Sequence, residues 1–326
     1  MASDLLELLN ASKDYVSGQT IAGKLGISRN AVWKALQRLR SEGYDIEAVP
    51  RKGYRLISSE AAFGQKSIAA ALHTQWLGKE LLFFSEIDST NEEIRRRSRK
   101  GAKEGLMAVA DRQTDGRGRR GRGWTSPAGT SLMFSFLLRP VFPPETAPML
   151  TLVMAIAVSR GISGECGVKT GIKWPNDIVL NGKKLVGILT EMSVEPDYIQ
   201  EVIIGTGINV SVKDFPAELN TTATSLFLET GKHFSRAGIL AAVSEEFERC
   251  YAVFCEDRNL KRLAGEYEQL CVNKGKRVRV LDPKGEYEAQ AGGIDEYGQL
   301  LVTLDSGEKR SVYAGEVSVR GIYGYI

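Results

Sequence analysis

Histidine is nearly absent from this chain of 326 residues, which contains only His73 and His233. These two lie far apart in the sequence, so histidine-based zinc sites and Ser-His-Asp or Cys-His nucleophilic catalysis are not expected. The four cysteines form no Cys-x-x-Cys pair, which argues against a disulfide framework and for free thiols in a reducing cytoplasm. We therefore expect any chemistry to use Lys, Arg, Asp, Asn and backbone amides.

Long apolar runs are also missing. The longest, such as residues 148–158, are too short to cross a bilayer, and the first residues lack the charged-then-apolar pattern of a signal peptide. No association with a membrane is expected. The apolar content of 43% and charged content of 25% are those of an ordinary globular protein, whose length predicts two or three domains.

The net charge of +3 is small but unevenly distributed. Up to Ile57 there are nine Lys and Arg residues against six Asp and Glu residues, a surplus of three that equals the excess of the whole chain. A basic segment of this size predicts that the first sixty residues bind nucleic acid.

Residues 1–60 have the pattern of a winged helix-turn-helix domain. A short helix ends at Gly26, and Ser28 is a suitable N-cap for a next helix that runs to about Arg40. Two short β runs then flank a basic turn. In such a domain the second helix enters the major groove and the hairpin wing contacts the backbone or minor groove. The alternative is a small helical interaction domain whose polar helix face is only solvated.

The predicted recognition helix has an apolar and a polar face. Helical spacing places Val32, Leu36 and Leu39 in the core, with Trp33 alongside them. The polar side chains of the helix and of the hairpin tip are left to bind DNA; they are Arg29, Asn30, Lys34, Gln37, Arg38, Arg51 and Lys52.

The rest of the chain predicts two further domains, so that the domains are 1–60, 65–270 and 271–326. In the central one, strands are expected at 81–87, 106–111, 131–138, 172–180, 185–193 and 200–210, and helices at 91–99, 148–160 and 238–254. Many strands follow one another directly, which favours a mixed or largely antiparallel sheet. Short strands split by Asp-Pro-Lys-Gly and Asp-Ser-Gly turns predict a small β-barrel at the end.

Residues 113–124 form a loop of alternating glycines and arginines. Glycine allows close backbone approach, and arginine offers planar donors to carboxylate and phosphate oxygens. We therefore predict a loop that closes over a small anionic ligand; the alternative is a solvated basic turn or a phosphate-contacting Arg-Gly segment. Its Gly-x-Gly-x-x-Gly spacing is not a dinucleotide fingerprint, because a turn and a strand follow Trp124 instead of a helix. The protein-kinase loop is excluded because no other kinase motif follows.

Four other polar segments lie at expected strand ends; they are Asp88-Ser-Thr-Asn91, Lys173-Trp-Pro-Asn-Asp177, Lys183-Lys-Leu-Val-Gly-Ile188 and Gly205-Thr-Gly-Ile-Asn209. Each has an ordinary structural explanation, as a helix N-cap, a rigid turn, a surface lysine or a glycine-flanked strand end. Their order and spacing along the chain are more informative than any one of them.

In this order, and together with the Gly-Arg loop, the segments resemble the motif series of biotin protein ligases. With the N-terminal domain, the chain resembles the bifunctional bacterial form, which is also the repressor of the biotin operon. The resemblance implies an α+β multidomain protein with a winged helix-turn-helix, a class II synthetase-like mixed-sheet catalytic domain and an SH3-like C-terminal β-barrel. It also implies a two-step reaction: biotin and ATP give biotinyl-5′-AMP, and biotin then passes to a lysine of biotin carboxyl carrier protein.

The resemblance also implies the site residues. For biotin they are Ser89, Thr90, Asn91, Gln113, Gly116, Arg117, Gly118, Arg119, Lys184 and Gly187. For ATP and the adenylate they are Arg119, Arg120, Arg122, Trp124, Asn176, Lys184, Asn209 and Arg320. The catalytic set is Lys184, Arg119 and Asp177. Mg²⁺ is expected to accompany ATP, without a metal site made by the protein alone.

The implied partners are the carrier protein of acetyl-CoA carboxylase, the biotin operator DNA and a second copy of the chain. Binding of the adenylate and of DNA is expected to favour the homodimer. Two alternatives stay open. A lipoate or octanoate ligase would share the catalytic fold, but the arginine-rich loop argues against it. A biotin-sensing transcription factor without catalysis would not need the lysine and arginines.

Overall fold

The computed structural model describes residues 4–325 apart from 6, 7, 10, 13, 42–45, 57–62, 196, 283, 284, 314–317 and 322–324; the side chains of 41 and 318–321 are likewise not described. The chain divides into two compact units, Met1–Ser67 and Ile68–Ile326. Separation of a third domain at residue 271 stays a prediction.

Four elements of the first unit lie wholly within its described backbone: α1 (Gly18–Leu25), α2 (Arg29–Ser41), β1 (Ile46–Val49) and β2 (Gly53–Leu56). Local chemistry fixes the helix ends. Ser17 accepts from Thr20 N at the start of α1, and Gly26 ends it with φ of 65°. Ser28 Oγ accepts from Ala31 N at 3.2 Å, as its predicted capping role requires. The helix-turn-helix and its β-hairpin are therefore confirmed.

Trp33 is a correction to the predicted core. Val32, Leu36 and Leu39 are buried as expected, with Leu5 among the residues around them. Trp33, by contrast, is 56% exposed. One residue along a helix turns the side chain by about 100°, so Trp33 shares the outer face with the polar side chains of α2.

The division between the two units falls within α3 (Gln65–Ala71), which the sequence pattern did not predict. The larger sheet of the second unit contains β3 (Leu81–Phe84), β4 (Met107–Ala110), β5 (Ser131–Leu138), β6 (Gly171–Lys173), β7 (Asp177–Leu180), β8 (Lys183–Glu195) and β9 (Tyr198–Asn209). Its further helices are α4 (Thr90–Ser98), α5 (Met149–Cys166), α6 (Leu226–Thr230), α7 (Arg236–Asp257) and α8 (Lys261–Leu270).

The seven strands form a mixed sheet in the order β3-β4-β5-β9-β8-β7-β6, as predicted. Only the β3–β4 pair is parallel among these neighbours. Neighbouring residues of a strand point to opposite faces. Ser135 of β5 contacts α4, whereas Phe136 packs on Phe247 of α7 with ring centroids 4.7 Å apart. Helices therefore cover both faces, which explains why all eight residues of β5 are buried.

Helix α5 corrects the expectation that every apolar segment of the chain is too short to cross a bilayer. With the turn before it, the segment Pro144–Cys166 is 23 residues long and apolar enough to cross a membrane. Its most apolar stretch is 72% buried inside the protein, which accounts for that composition. A Cβ at Gly161 would lie 2.7 Å from the backbone of Val243, so α5 and α7 approach closely in the core.

The predicted strand 172–180 is in fact two strands, because the turn Trp174–Asn176 separates β6 from β7. Near the end of the chain, β10 (Arg277–Leu281), β11 (Tyr287–Ile294), β12 (Leu300–Thr303), β13 (Lys309–Val312) and β14 (Ser318–Gly321) form an antiparallel sheet. The strand order is β13-β12-β11-β10-β14. Four of these strands were predicted and β14 was not; closure into a barrel stays a prediction.

Candidate active site

One cleft brings together residues from all five motifs. It lies at the ends of β8 and β9, beside the start of α4 and the Gly-Arg loop. Of the predicted site residues it is lined by Ser89, Thr90, Asn91, Gln113, Arg117, Gly118, Arg119, Trp124, Asn176, Lys184 and Gly187.

The start of α4 presents polar groups that the helix itself does not use. Ser89 occupies the N-cap position, but its side chain makes no capping hydrogen bond. Thr90 donates both its N–H and its hydroxyl to Gln113 Oε1, at 2.7 and 2.9 Å. The parallel β3–β4 pairing continues to a bridge between Ile87 and Gln113, which brings Gln113 beside the helix start. A purely structural N-cap therefore does not explain this motif.

Asn91 is held in one orientation. Its Nδ2 donates to Glu191 Oε2 at 2.6 Å, and its Oδ1 lies 2.5 Å from the hydroxyl of Ser135. Arg95 forms an ion pair with the same Glu191 at 3.1 Å. Asn91 is nearly buried at 6% exposure, so these partners fix which of its polar atoms face the cleft.

Glycines make the floor of the cleft flat. Gly187 and Gly207 are partners across β8 and β9, and an added Cβ at Gly207 would lie 2.5 Å from the indole of Trp124. Gly205 lies on the same face two residues earlier, where a Cβ would be 2.1 Å from Asn91 Oδ1. The Trp124 Nε1 atom is buried without a hydrogen-bond partner among the described residues.

Lys184 reaches the cleft because β8 contains a bulge. In a regular strand, residues three apart face opposite sides of the sheet, but Lys184 and Gly187 both line the cleft. The β7–β8 register shifts between Ile178 and Val179, as expected when one strand has an extra residue. Backbone bonds to Thr222 O and from Thr224 N then hold Lys184 at 2.7 and 2.8 Å.

Four polar side chains form a connected group on one wall. Lys184 Nζ lies 2.7 Å from Asp177 Oδ1, which also accepts from Asn176 Nδ2 at 3.3 Å. Arg119 Nη1 donates to Asn176 Oδ1 at 3.1 Å. Burial lowers the pKa of the Arg119 guanidinium, although the Asp177 carboxylate opposes this. Arginine stays protonated in proteins, so Arg119 places a fixed positive charge on this wall of the cleft.

The Gly-Arg loop folds back on itself. Arg117 and Gly123 form an antiparallel bridge, and Trp124 N donates to Gly116 O at 2.8 Å. Gly116 lies behind the cleft wall, since a Cβ there would be 2.3 Å from Trp124 O. Arg120 and Arg122 are exposed outside the cleft, and Arg120 donates to Leu281 O at 3.2 Å.

Like Arg120 and Arg122, the predicted nucleotide residue Asn209 does not line the cleft. Asn209 is 5% exposed and its Nδ2 donates to Thr224 O at 3.1 Å, a contact that joins the end of β9 to the following segment. Arg320 pairs through its backbone with Arg279 in the second sheet, and its side chain falls outside the described ones. Gly205 and Gly207 of the same motif line the cleft where Asn209 does not.

Several cleft residues were missed by sequence reasoning. Ile188, Leu189 and Thr206 line the cleft, and Glu191 orients Asn91 from behind. Gly205 and Gly207, two residues apart within an expected strand, could have indicated the cleft, because they leave one face of the strand without side chains. Glu191 gave no such signal, since its partners are distant in sequence.

The first unit presents the expected basic face. All seven predicted DNA-binding residues are exposed: Arg29, Asn30, Lys34, Gln37 and Arg38 on α2, and Arg51 and Lys52 on the β1–β2 turn. Trp33 lies among those of α2.

Comparison with known proteins agrees with this architecture. Residues 83–209 match the biotin/lipoate A/B protein ligase family, residues 2–55 an HTH domain and residues 275–320 the biotin protein ligase C terminal domain. The bifunctional ligase/repressor BirA of Bacillus spizizenii is 40% identical over 322 residues, 98% of each chain. Its counterpart in Escherichia coli is 31% identical, covering 97% of this chain and 96% of the relative.

A solved structure is also similar. The biotin protein ligase of Aquifex aeolicus in complex with biotin and ATP superposes with a TM-score of 0.66 and 33% identity, over 74% of this chain and 99% of that chain. Fold and cleft thus define a protein ligase joined to a helix-turn-helix domain. More narrowly, the chain belongs to the BirA family of bifunctional biotin ligase/repressor proteins.

Proposed function

We propose that this chain activates biotin with ATP and transfers it to a lysine of the biotin carboxyl carrier protein of acetyl-CoA carboxylase. With its N-terminal unit it would also repress the biotin operon in response to biotin. The observation that carries the ligase half is the single cleft in which the Ser-Thr-Asn segment, the Gly-Arg loop and Lys184 meet.

The first step suits a cleft without histidine. The carboxylate of biotin attacks the α-phosphorus of ATP, which forms the acyl–phosphate bond of biotinyl-5′-AMP and releases pyrophosphate. The substrate supplies the nucleophile, so the protein has only to position two anions and offset the growing charge. We assign this to Lys184 and Arg119, the two cations on the cleft wall.

In the second step, the acceptor lysine attacks the acyl carbon of the mixed anhydride and AMP leaves. The amine must lose a proton, and Asp177 is our candidate for assisting it. Asp177 is 14% exposed and paired with Lys184, so it lies within reach of the cleft rather than deep in the core.

Biotin recognition is assigned to the start of α4 and its neighbours. Ser89, Thr90, Asn91 and Gln113 would bind the ureido and ring region, while the glycine floor offers a flat apolar surface. Gly116, Arg117, Gly118 and Gly187 would shape the walls around it. The unpaired Trp124 Nε1 supports a polar ligand here, because a ligand oxygen could accept its hydrogen bond.

Nucleotide recognition is assigned to the loop and its surroundings. Arg120 and Arg122 would meet phosphates once the loop closes over the substrates, with Trp124 covering the biotin tail. Asn176 is a further candidate for phosphate or ribose contacts. Asn209 and Arg320 stay weaker candidates, since Asn209 is bonded to Thr224 and the Arg320 side chain is not described.

Mg²⁺ would enter the cleft bound to the phosphates of ATP. No cluster of three or more His, Cys, Asp or Glu residues exists among the described residues, so a cage built by the protein is not supported there. Mg²⁺ commonly binds through substrate phosphates with few protein ligands. The amide oxygen of Asn176 lines the cleft and would be one such ligand if it released its hydrogen bond from Arg119. When bound, the ion would neutralise phosphate charge.

The ligase proposal is tested by ATP–pyrophosphate exchange with purified protein. Exchange should require biotin, and lipoate or octanoate should not replace it. Exchange that depends on lipoate and ignores biotin would identify a lipoate-type ligase instead. Label should then pass from [¹⁴C]biotin to the carrier protein, but not to a carrier whose acceptor lysine is replaced by arginine.

For the repressor half, the exposed basic face of α2 and the wing tip support binding to a palindromic operator by a homodimer. Adenylate binding would order the Gly-Arg loop and favour that dimer. An SH3-like barrel at the end of the chain and a cytoplasmic location complete the proposal; the four free cysteines fit a reducing compartment.

A gel shift on the biotin operator tests this half. Binding should tighten when biotin and ATP are both present, and it should not tighten with either alone. Binding that ignores both ligands would contradict the coupling while leaving the ligase proposal intact.

A further inference from the structure

Tyr325 contacts the aspartate of the lysine–aspartate pair of the cleft. Tyr325 donates its hydroxyl to Asp177 Oδ2 at 2.5 Å. The other oxygen of the same carboxylate, Oδ1, accepts from Lys184 Nζ at 2.7 Å. One carboxylate is therefore shared between a tyrosine 148 residues away in sequence and the cleft lysine.

The ring of Tyr325 has a second partner. Lys173 is only 6% exposed, and its Nζ lies 3.5 Å from the centroid of the Tyr325 ring. A buried ammonium needs such a partner, because burial of a charge without compensation is costly. Tyr325 is thus held by its ring as well as by its hydroxyl.

Both contacts of Tyr325 are with residues of the β6–β7 turn. Lys173 and Asp177 are register partners at the two ends of the β6–β7 turn, which also carries Asn176. The same turn is tied to the rest of the unit by Trp174, whose Nε1 donates to Gly298 O at 3.0 Å. Two later parts of the chain, at Gly298 and Tyr325, therefore contact the β6–β7 turn.

We propose that Tyr325 is a positioning residue for the ligase reaction. Its hydroxyl orients the Asp177 carboxylate so that the opposite oxygen holds the Lys184 ammonium over the reacting groups. This inference rests on the proposed function, in which Lys184 offsets charge on the carboxylate and α-phosphate. Tyr325 itself contacts neither substrate.

The conservative variant Tyr325→Phe tests the inference, because it keeps the ring on Lys173 and removes only the hydroxyl. Loss of one hydrogen bond predicts that kcat for biotin-dependent pyrophosphate exchange falls about three- to tenfold. KM for biotin should stay unchanged, since Ser89, Thr90 and Gln113 are untouched. Tyr297→Phe is the matched control: Tyr297 is 56% exposed, and this variant should behave as wild type.

A double-mutant cycle distinguishes positioning from general stability. If Tyr325 acts through Asp177, Tyr325→Phe should have no further effect in an Asp177→Ala background. Wild-type exchange by Tyr325→Phe, or the same fold decrease in both backgrounds, would overturn the inference. Absence of biotin-dependent exchange in the unmodified protein would instead contradict the proposed function.

Discussion

Gly205 shows how one missing side chain shapes the cleft. A Cβ there would lie 2.1 Å from Asn91 Oδ1, and Asn91 is already fixed by Glu191 and Ser135. The Asn91 side chain could not move aside without losing buried hydrogen bonds. Glycine at this position is therefore required for the geometry of the proposed biotin site.

We expect Gly205→Ala to raise the KM for biotin by about tenfold or more, because displaced Asn91 leaves buried polar atoms unpaired. KM is read from pyrophosphate exchange at saturating ATP. Gly164→Ala in α5 is the matched control, since a Cβ there meets nothing within 4 Å. Unchanged biotin KM in Gly205→Ala would mean that Asn91 does not bind biotin.

Asp88 gives a prediction about pH. Arg96 donates two hydrogen bonds to its carboxylate, at 2.7 and 2.9 Å, and this holds the pKa of Asp88 at about 2, below its ordinary 3.8. A lowered pKa stabilises the fold above the unfolded value, and the contribution is lost as pH falls through the folded value. The pair is partly exposed, so the effect is modest.

We expect Asp88→Asn to lower the Tm by about 1–3 °C at pH 6. The difference from wild type should stay constant down to about pH 4 and shrink between pH 4 and pH 2. Thermal unfolding followed by circular dichroism across this range checks it. A difference that is the same at pH 6 and pH 2 would show that the Asp88 charge does not contribute.

For single residues, the sequence predicted which polar side chains lie at the cleft better than it predicted their hydrogen-bond partners. Ser89, Gln113 and Lys184 were identified because each belongs to a short motif at a strand end. Tyr325 could not be identified, since its contact with Asp177 depends on how distant segments fold together.

Among the elements, the Gly-Arg loop is a hairpin with exposed arginines. Arg117, Arg120 and Arg122 are accessible to trypsin, which cleaves chains that can open locally. If the loop closes over biotinyl-5′-AMP, cleavage at these sites should slow about tenfold with biotin and ATP together. Lipoate with ATP is the control. Equal cleavage rates with and without biotin and ATP would contradict the closing loop.

Helix α2 carries an exposed tryptophan where DNA is expected. A large aromatic side chain at an interface often contributes much of its affinity. We expect Trp33→Ala to weaken operator binding by about tenfold or more in a gel shift, while pyrophosphate exchange stays at the wild-type rate. Unchanged operator affinity would place Trp33 outside the DNA interface.

Most elements of the central sheet were predictable because their apolar runs are long and bounded by turns. Strand 131–138 was predicted with its observed bounds. Strand 172–180 was predicted as continuous, although its Lys-Trp-Pro-Asn-Asp segment was also interpreted as a rigid turn, and β6 and β7 are in fact separated there. The helices α3, α6 and α8 were missed; α3 and α6 have only seven and five residues, so their periodicity is weak.

For the whole molecule, the order of the motifs predicted the family. The sequence did not predict which of the domains pack together into one compact unit. The sheet of residues 277–321 falls within the same compact unit as the cleft, and Trp174 and Tyr325 show why. Contacts of this kind are long-range and leave no local pattern in the sequence.

The central claim is that this cleft makes biotinyl-5′-AMP with Lys184 as its key cation. The most direct measurement is the initial rate of biotinyl-5′-AMP formation, by mass spectrometry, from purified protein, biotin and ATP without an acceptor. We predict rapid formation by the wild-type protein and by the neighbouring control Lys183→Ala, and formation at least about a hundredfold slower by Lys184→Ala. No biotinyl-5′-AMP from the wild-type protein, or formation at the wild-type rate by Lys184→Ala, would contradict the account.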